Sequence, residues 1–244
     1  MAKVRIDELL VQREMVDSLA EARGRLMAGE VIVDDHRVDK AGTRVDPSAS
    51  VRIRGRKKHR FVSRGGLKLE GALNRFGLAV DGLTCLDLGA STGGFTDCLL
   101  QFGAKQVYAV DVGYGLLDWT LRADERVTCL ERTHAARLDR TLIPEPIDFL
   151  VADISFNSLA RIIPPAISLL APGAVAILLV KPQFEAAREE VEDGGIVSDD
   201  SVHQRVCENV RVTMASFGAS YIGLTESSIL GTTGNKEFLM ALTW

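Results

Sequence analysis

Residues 86 to 100 read "LDLGASTGGFTDCLL". Leu86 to Leu88 suit a buried strand, Gly89 to Gly94 are all small, and Phe95 to Leu100 carry an apolar period that suits a helix. A strand, a small-residue turn and a helix in that order place the turn where open α/β sheets bind ligands, outside the carboxyl end of a strand. The spacing G-x-x-x-G-G departs from the G-x-G-x-x-G of dinucleotide sites and argues against NAD. By itself such a turn is equally explained by a local need for positive φ.

Moving outward, apolar strand-like runs recur at "TCLDLG", "QVYAVDVG", "VTCLERT", "IDFLVADISF" and "AVAILLVKP", separated by helical or loop segments. That alternation predicts an α/β fold with a parallel sheet, and "YIGLTESSI" and "EFLMALTW" bring the strands to seven. Residues 162 to 180 hold no charge and approach the length of a membrane span. Pro164, Pro165, Pro172 and Gly173 interrupt them, so the stretch is expected to form a helix, a Pro-Gly turn and a buried strand.

The 244-residue chain has room for one sizeable α/β domain and a smaller partner, and its four cysteines stand far apart with no Cys-x-x-Cys pair. The charged N-terminus is no signal peptide, and a reduced cytoplasm is the expected compartment. His36, His59 and His203 are not spaced as metal ligands, so no metal is expected. The net charge of −4 is uneven: residues 1 to 60 hold fourteen Lys and Arg against ten Asp and Glu. The run "VRIRGRKKHRFVSRGGLKL", residues 51 to 69, has eight basic residues and no acidic one. Such a run either contacts nucleic acid or is a solvated strand edge and linker, and the unit preceding it favours nucleic acid.

That unit is small and α+β. "RIDELLVQREMV" and "SLAEARGRLMAGEVIV" predict two short amphipathic helices, the second capped by Ser18 with Glu21 as capping-box partner and stopped by Gly29. Short strands follow. Arg5-Ile6-Asp7, then Ser18 to Ala22, then "LMAGEVIVD" resemble the alpha-L RNA-binding motif of a ribosomal small-subunit protein, pseudouridine synthases and tyrosyl-tRNA synthetases, over about residues 3 to 55. The resemblance implies RNA contacts from Arg5, Arg13, Arg23, Arg25 and Lys40, and the basic run adds Arg56, Lys57, Lys58, Arg60 and Arg64. Where many relatives have Ser-Arg, this chain has Ser18-Leu19 after Asp17.

The glycine turn, with Asp87 in the strand before it and Asp111 at the end of the next, resembles the S-adenosylmethionine site of class I methyltransferases. The resemblance implies cofactor contacts from Asp87, Gly89, Ala90, Ser91, Thr92, Gly93, Gly94, Phe95, Asp111, Val112 and Asp153, with Asp111 accepting from the ribose hydroxyls. Tyr114 and Trp119 could line the adenine pocket or pack a helix face into the core. Phe156 could flank an acceptor nucleotide or be a core aromatic.

Asp153, Lys181 and Glu237 each abut an apolar run, a placement that demands solvation or pairing. If the last strand runs antiparallel, as in class I methyltransferases, Glu237 meets Asp153 and Lys181, and Lys68 can cover the same edge. The set resembles the Lys-Asp-Lys-Glu tetrad of the FtsJ-like RNA ribose 2′-O-methyltransferases. With "FVSRGGLKL", "GASTGGFTDCLL", "DVGYGLL", "ERT", "ADISF", "VKPQFE" and "GNKEF", the chain is identified as a member of the TlyA family, long known as haemolysins and recognised as rRNA cytidine 2′-O-methyltransferases; His134 stands where actinobacterial relatives have Asn.

The implied organisation is an alpha-L type domain over 1–58, a basic linker over 59–66, and an FtsJ-like methyltransferase domain over 67–244. Lys68, Asp153, Lys181 and Glu237 are then the catalytic set: Lys181 handles the ribose proton, Asp153 holds it, and Lys68 and Glu237 orient hydroxyl and ribose. Relatives fall into longer forms that modify both subunit rRNAs and shorter ones confined to the large subunit. This chain stops at Trp244 directly after "EFLMALTW", so the large subunit is the expected target. Two other functions remain open on sequence: a non-catalytic rRNA-binding assembly factor, and a membrane-lytic haemolysin.

Overall fold

The computed structural model describes residues 3–13, 15–16, 18–54 and 60–244. Asp17, Arg56, Lys57, Lys58 and His59, all named above, lie outside the described residues.

Strand β1 (Val4–Arg5) leads directly into helix α1 (Ile6–Gln12), whose first turn carries Asp7 and Glu8 where a helix N-terminus favours negative charge. Ser18 caps α2 (Leu19–Met27) as expected, its side chain accepting from the Glu21 N–H at 3.1 Å, and the Glu21 carboxylate pairs with Arg25. Gly29, at φ +66°, ends that helix. Strands β2 (Val31–Val33), β3 (His36–Val38), β4 (Arg44–Val45) and β5 (Val51–Ile53) follow, with β3-β2-β5 forming one small antiparallel sheet and β1 pairing β4. Ile6, Leu10, Leu26 and Val31 are fully buried between them, which gives this domain its own core.

Helix α3 (Gly65–Phe76) opens the second domain and stops at Gly77, φ +63°. Phe61 and Ser63, ahead of the helix, are already buried, and Phe61 belongs to the second domain's core. Then come β6 (Thr84–Leu88), α4 (Gly94–Gln101), β7 (Gln106–Val110), α5 (Trp119–Arg122), β8 (Val127–Leu130), β9 (Ile147–Ala152), α6 (Leu159–Ile162), α7 (Pro164–Ile167), β10 (Leu170–Val180), α8 (Pro182–Glu185), α9 (Asp200–Ser216), β11 (Ser220–Glu226) and β12 (Phe238–Thr243). Seven strands lie in the order β11-β12-β10-β9-β6-β7-β8, with β12 antiparallel to both neighbours. The seven predicted strands are all present.

The chain runs from β6 outward through β7 and β8, then returns to lay β9 on the other side of β6. That reversal opens a crevice at the carboxyl ends of β6 and β9. Gly89 sits there at φ +80°, and a Cβ on it would lie 2.5 Å from the Asp153 carbonyl oxygen, so the two strand ends meet only because residue 89 has no side chain.

The 162–180 stretch differs from expectation. Its helical part is two single turns, α6 and α7, and Pro172 and Gly173 lie inside β10 rather than in a turn before it. The register against β9 shifts between Leu170 and Val175, so the irregularity accommodates a residue with no N–H; Gly173, at φ +79°, donates to the Trp244 carbonyl at 2.7 Å. Among the described residues no helix is long and apolar enough to cross a membrane.

Candidate active site

The sheet brings four distant charges together. Lys181 follows the last residue of β10, Glu237 precedes the first of β12, and Val180 and Phe238 are register partners, so the two side chains leave adjacent antiparallel strands at one edge. Asp153 follows β9, the other neighbour of β10, and Lys68 reaches the edge from α3. Lys181 Nζ lies 2.5 Å from Asp153 Oδ1 and donates to Ser155 Oγ at 2.9 Å. Lys68 Nζ donates to Glu237 Oε2 at 2.7 Å. Lys68, Lys181 and Glu237 are all less than one-tenth exposed. Burial alone would push the Asp153 carboxyl up, but the cations of Lys181 and Lys68 outweigh it and hold the group below its ordinary range. All four side chains line one cavity of about 600 Å³.

Gly89, Ala90, Ser91, Thr92, Gly94 and Phe95 line the same cavity. The other expected cofactor residues stand behind or beside it. Gly93 is the N-cap of α4, and a Cβ there would strike Leu121 and Leu117 of the next segment. Asp111 binds the turn itself: one carboxylate oxygen accepts from the Ser91 N–H at 2.8 Å and the other from the Gly113 N–H at 2.7 Å. Val112, beside it, is exposed. Asp87 is fully buried beneath the turn; its Oδ2 accepts from Thr96 Oγ1 at 2.6 Å, whereas Oδ1 has no hydrogen-bond partner among the described residues. Burial, with Asp153 and Asp111 nearby, pushes its pKa up to about 7 despite the Thr96 hydrogen bond.

Both aromatic questions are decided against the core. Trp119 is 74% exposed, and half-exposed Tyr114 carries the Arg132 guanidinium 4.0 Å over its ring. Phe156 is 88% exposed, adopts φ +61°, and stands 5.1 Å from the Phe184 ring at the cavity mouth. His134 caps the 3-10 turn at Ala135–Arg137, its Nδ1 accepting from the Ala136 N–H.

The expected RNA-contacting cations separate into kinds. Arg13 is a correction: it is buried, and its guanidinium donates to the carbonyls of Ala49, at 2.7 Å, and Pro47, so it closes the small domain's core and presents no charge outward. Arg25 is clasped between Glu21 and Glu30. Arg5 and Arg23 both lean on buried Asp7, whose carboxyl is held low mainly by the Arg5 hydrogen bonds. Lys40 is exposed. Arg60 pairs with Glu70 and covers the rings of Phe61 and Phe102, and Arg64 donates to the Leu230 carbonyl at 3.0 Å.

Three site-shaping residues escaped the sequence. Ser155 receives the Lys181 ammonium; its signal was its place two residues after Asp153 in "ADISF". Asn235 is buried and ties Gly195 and Val197 to the segment entering β12, a role hinted at only by an Asn directly before a charged pair. Glu131, in "ERT", gathers backbone N–H groups from a segment fourteen to sixteen residues earlier, which no local pattern announces.

Comparison with known proteins matches two family models to this chain. A family model described as FtsJ-like methyltransferase matches residues 61–244, and one described as S4 domain matches residues 4–51. A Bacillus subtilis protein named as a candidate rRNA methyltransferase is 47% identical over 99% of this chain and 86% of its own. The 16S/23S rRNA (cytidine-2′-O)-methyltransferase TlyA of Mycobacterium tuberculosis is 40% identical over 98% of this chain and 90% of its own. The 23S rRNA (cytidine-2′-O)-methyltransferase TlyA of Campylobacter jejuni is 34% identical over 73% of this chain and 69% of its own.

Proposed function

This chain belongs to the TlyA branch of the FtsJ-like methyltransferase family, and on that premise we propose that it methylates the ribose 2′-hydroxyl of a cytidine in ribosomal RNA, using S-adenosylmethionine. The observation that carries the reading is two adjacent ion pairs, the buried pair of Lys68 with Glu237 and the partly buried pair of Lys181 with Asp153, on the wall of a cavity that includes the glycine turn.

The residues present fit the cofactor. Gly89, Ala90, Ser91, Thr92 and Gly94 line the cavity with small residues that let a ligand approach the backbone, and beneath them the buried Asp87 Oδ1 has no hydrogen-bond partner among the described residues. Gly89 to Gly94 and Phe95 would hold the methionine part, and Asp111, whose oxygens each retain a free lone pair, the ribose diol. Once bound, S-adenosylmethionine supplies a methyl carbon already activated on a sulfonium.

The protein's task is alignment and proton handling. Glu237 and Lys68 orient the acceptor ribose. Lys181 sits between Asp153 and Ser155, and as a neutral amine, its own extra proton first released to solvent, it would take the proton of the acceptor hydroxyl. Asp153, kept ionised, fixes the Lys181 amine in that position. Phe156 and Phe184 at the mouth give the acceptor base a stacking surface. The S4 domain supplies phosphate contacts through Arg5, Arg23 and Lys40, whose charge is not spent in a closed core.

The large subunit is the proposed target, because 23S rRNA is the acceptor common to the two TlyA relatives' names. The test is transfer of labelled methyl from S-adenosylmethionine to purified large subunits, small subunits and naked rRNAs, followed by mapping of the modified nucleotide. A 2′-O-methylcytidine in 23S rRNA is the expected product. Transfer confined to 16S rRNA overturns the choice of subunit. Cofactor binding without transfer to any RNA overturns the catalytic reading in favour of an assembly factor, and dye release from lipid vesicles would favour the lytic one.

A further inference from the structure

Glu131 has a geometry that cofactor contact does not explain. Its side chain is 8% exposed. Oε2 accepts from the Gly115 N–H at 2.9 Å, and Oε1 accepts from those of Leu116 at 3.0 Å and Leu117 at 3.3 Å. Arg122 donates to Oε1 at 2.6 Å. Three successive amides on one carboxylate form an anion-binding concavity that this chain fills from within. The segment needs it: residues 113–117 contain two glycines, Gly115 at φ +68°, and no regular structure.

What that segment holds lies on both sides of the cofactor cradle. Gly113 donates to Asp111 Oδ1, and the Gly113 carbonyl accepts from the Arg132 N–H. At the other end Asp118 donates its N–H to the Thr92 carbonyl at 3.1 Å, while Leu117 and Leu121 close against Gly93. On its outer side the segment meets the S4 domain, where a Cβ on Gly115 would lie 3.3 Å from the Ser48 carbonyl oxygen. One carboxylate therefore fixes the span between Asp111 and the glycine turn, at the point where the two domains touch.

We infer that Glu131 is a positioning residue for S-adenosylmethionine, setting the Asp111 carboxylate and the Thr92–Gly93 backbone at binding distance without touching the cofactor. The inference rests on reading the cavity as a cofactor site, and the experiment separates the two. S-adenosylmethionine affinity is measured by calorimetry for the wild type and for Glu131→Ala, Glu131→Gln and Arg122→Ala, alongside steady-state kinetics and backbone amide exchange. No binding by the wild type would remove the cofactor reading itself. Given wild-type binding, Glu131→Ala should weaken cofactor affinity and raise its KM about tenfold, with kcat at saturation within about threefold, because charge-assisted hydrogen bonds are lost away from the reacting atoms. Glu131→Gln keeps an acceptor for the Leu116 and Leu117 amides and should recover most of the loss. Arg122→Ala leaves all three amide bonds in place and should stay within about twofold, as an exposed ion pair predicts. Amides 115–117 should exchange faster in Glu131→Ala and not in Arg122→Ala. Unchanged cofactor affinity in Glu131→Ala overturns the inference, as does a fall in kcat with KM unmoved. If Glu131→Ala does not fold, Glu131→Gln and Arg122→Ala decide: Glu131→Gln deprives the Gly115 amide of its acceptor and should speed exchange there with a few-fold loss of cofactor affinity, Arg122→Ala should change neither, and no loss in Glu131→Gln, or a larger one in Arg122→Ala, overturns the inference.

Discussion

In the C-terminal domain, Lys68 and Glu237, 169 residues apart in sequence, meet in a buried ion pair beside that of Lys181 and Asp153. In the S4 domain four of the expected cations instead find anchors within the same fifty residues, and the anchors are of three kinds: carbonyl oxygens for Arg13, two glutamates for Arg25, and one aspartate shared by Arg5 and Arg23. A charge placed directly at the end of a buried strand has one environment available to it, the sheet edge, so topology alone gathers such charges. A charge on a short helix can turn to solvent, to a neighbouring acid or to the core, and the choice depends on contacts a helix pattern does not contain.

Replacing Lys181 should break that comparison most severely. Lys181→Ala is expected to lose about a thousandfold in methyl transfer, as removal of a proton-handling group does. Cofactor and RNA affinities should change little, because the residue acts on the hydroxyl rather than on the bulk of either ligand. The variant leaves Asp153 buried without its nearest cation, so a lowered unfolding temperature should accompany the loss. Single-turnover rates measured with saturating cofactor check the assignment, and near wild-type turnover would remove Lys181 from the mechanism.

A fully buried acid gives the next largest effect. Asp87 holds its proton up to about pH 7 in the folded chain, whereas the unfolded carboxyl releases it near 3.8. Between those values the folded state binds more protons, so this group's contribution to stability falls as pH rises from about 4 to 7, by up to about 1.4 kcal/mol per pH unit. Asp87→Asn removes the titration and keeps an acceptor for Thr96. It should therefore gain on the wild type as pH rises through that window, with the gap constant above pH 7, as read by denaturant unfolding across pH. Parallel profiles for the two proteins would show that the buried carboxyl does not titrate there.

Much of this contrast was legible in the sequence. The seven strands, the antiparallel return of β12 and the meeting of Lys68, Asp153, Lys181 and Glu237 follow from apolar runs, their charged ends and the family resemblance. The illegible parts depend on tertiary contacts. Pro172 and Gly173 carry every mark of a turn, yet β10 absorbs them because a neighbouring strand tolerates a register shift. Glu131 and Asn235 look like ordinary surface residues until the segments they bind are folded beside them. Arg13 shares the spacing of an RNA-facing helix residue, and only the return of Pro47 and Ala49 beneath α1 turns it inward.

Arg13 therefore sharpens the comparison from the S4 side. Arg13→Ala leaves the buried Ala49 carbonyl and the half-buried Pro47 carbonyl without these donors, and it should cost about 2 kcal/mol of stability by the usual penalty for unsatisfied buried groups. Thermal unfolding would register the loss. RNA affinity measured well below the unfolding transition should keep the wild-type salt dependence, since no phosphate contact has been removed.

The smallest effect separates two arginines on one helix. Arg23 is exposed and shares Asp7 with Arg5, so part of its charge faces outward, while Arg25 is held between Glu21 and Glu30 and its charge is neutralised locally. Each phosphate contact contributes about one unit to the slope of log affinity against log salt. Arg23→Ala should lower that slope by about one and weaken binding a few-fold at low salt, whereas Arg25→Ala should leave the slope at its wild-type value. Leaving the domain intact requires that neither substitution uncover the core, and both side chains meet this condition, since neither belongs to the apolar cluster of Ile6, Leu10, Leu26 and Val31. Filter binding to 23S rRNA at several salt concentrations distinguishes them. Equal slopes for both variants would mean that local acid pairing does not decide which cations of this domain meet RNA.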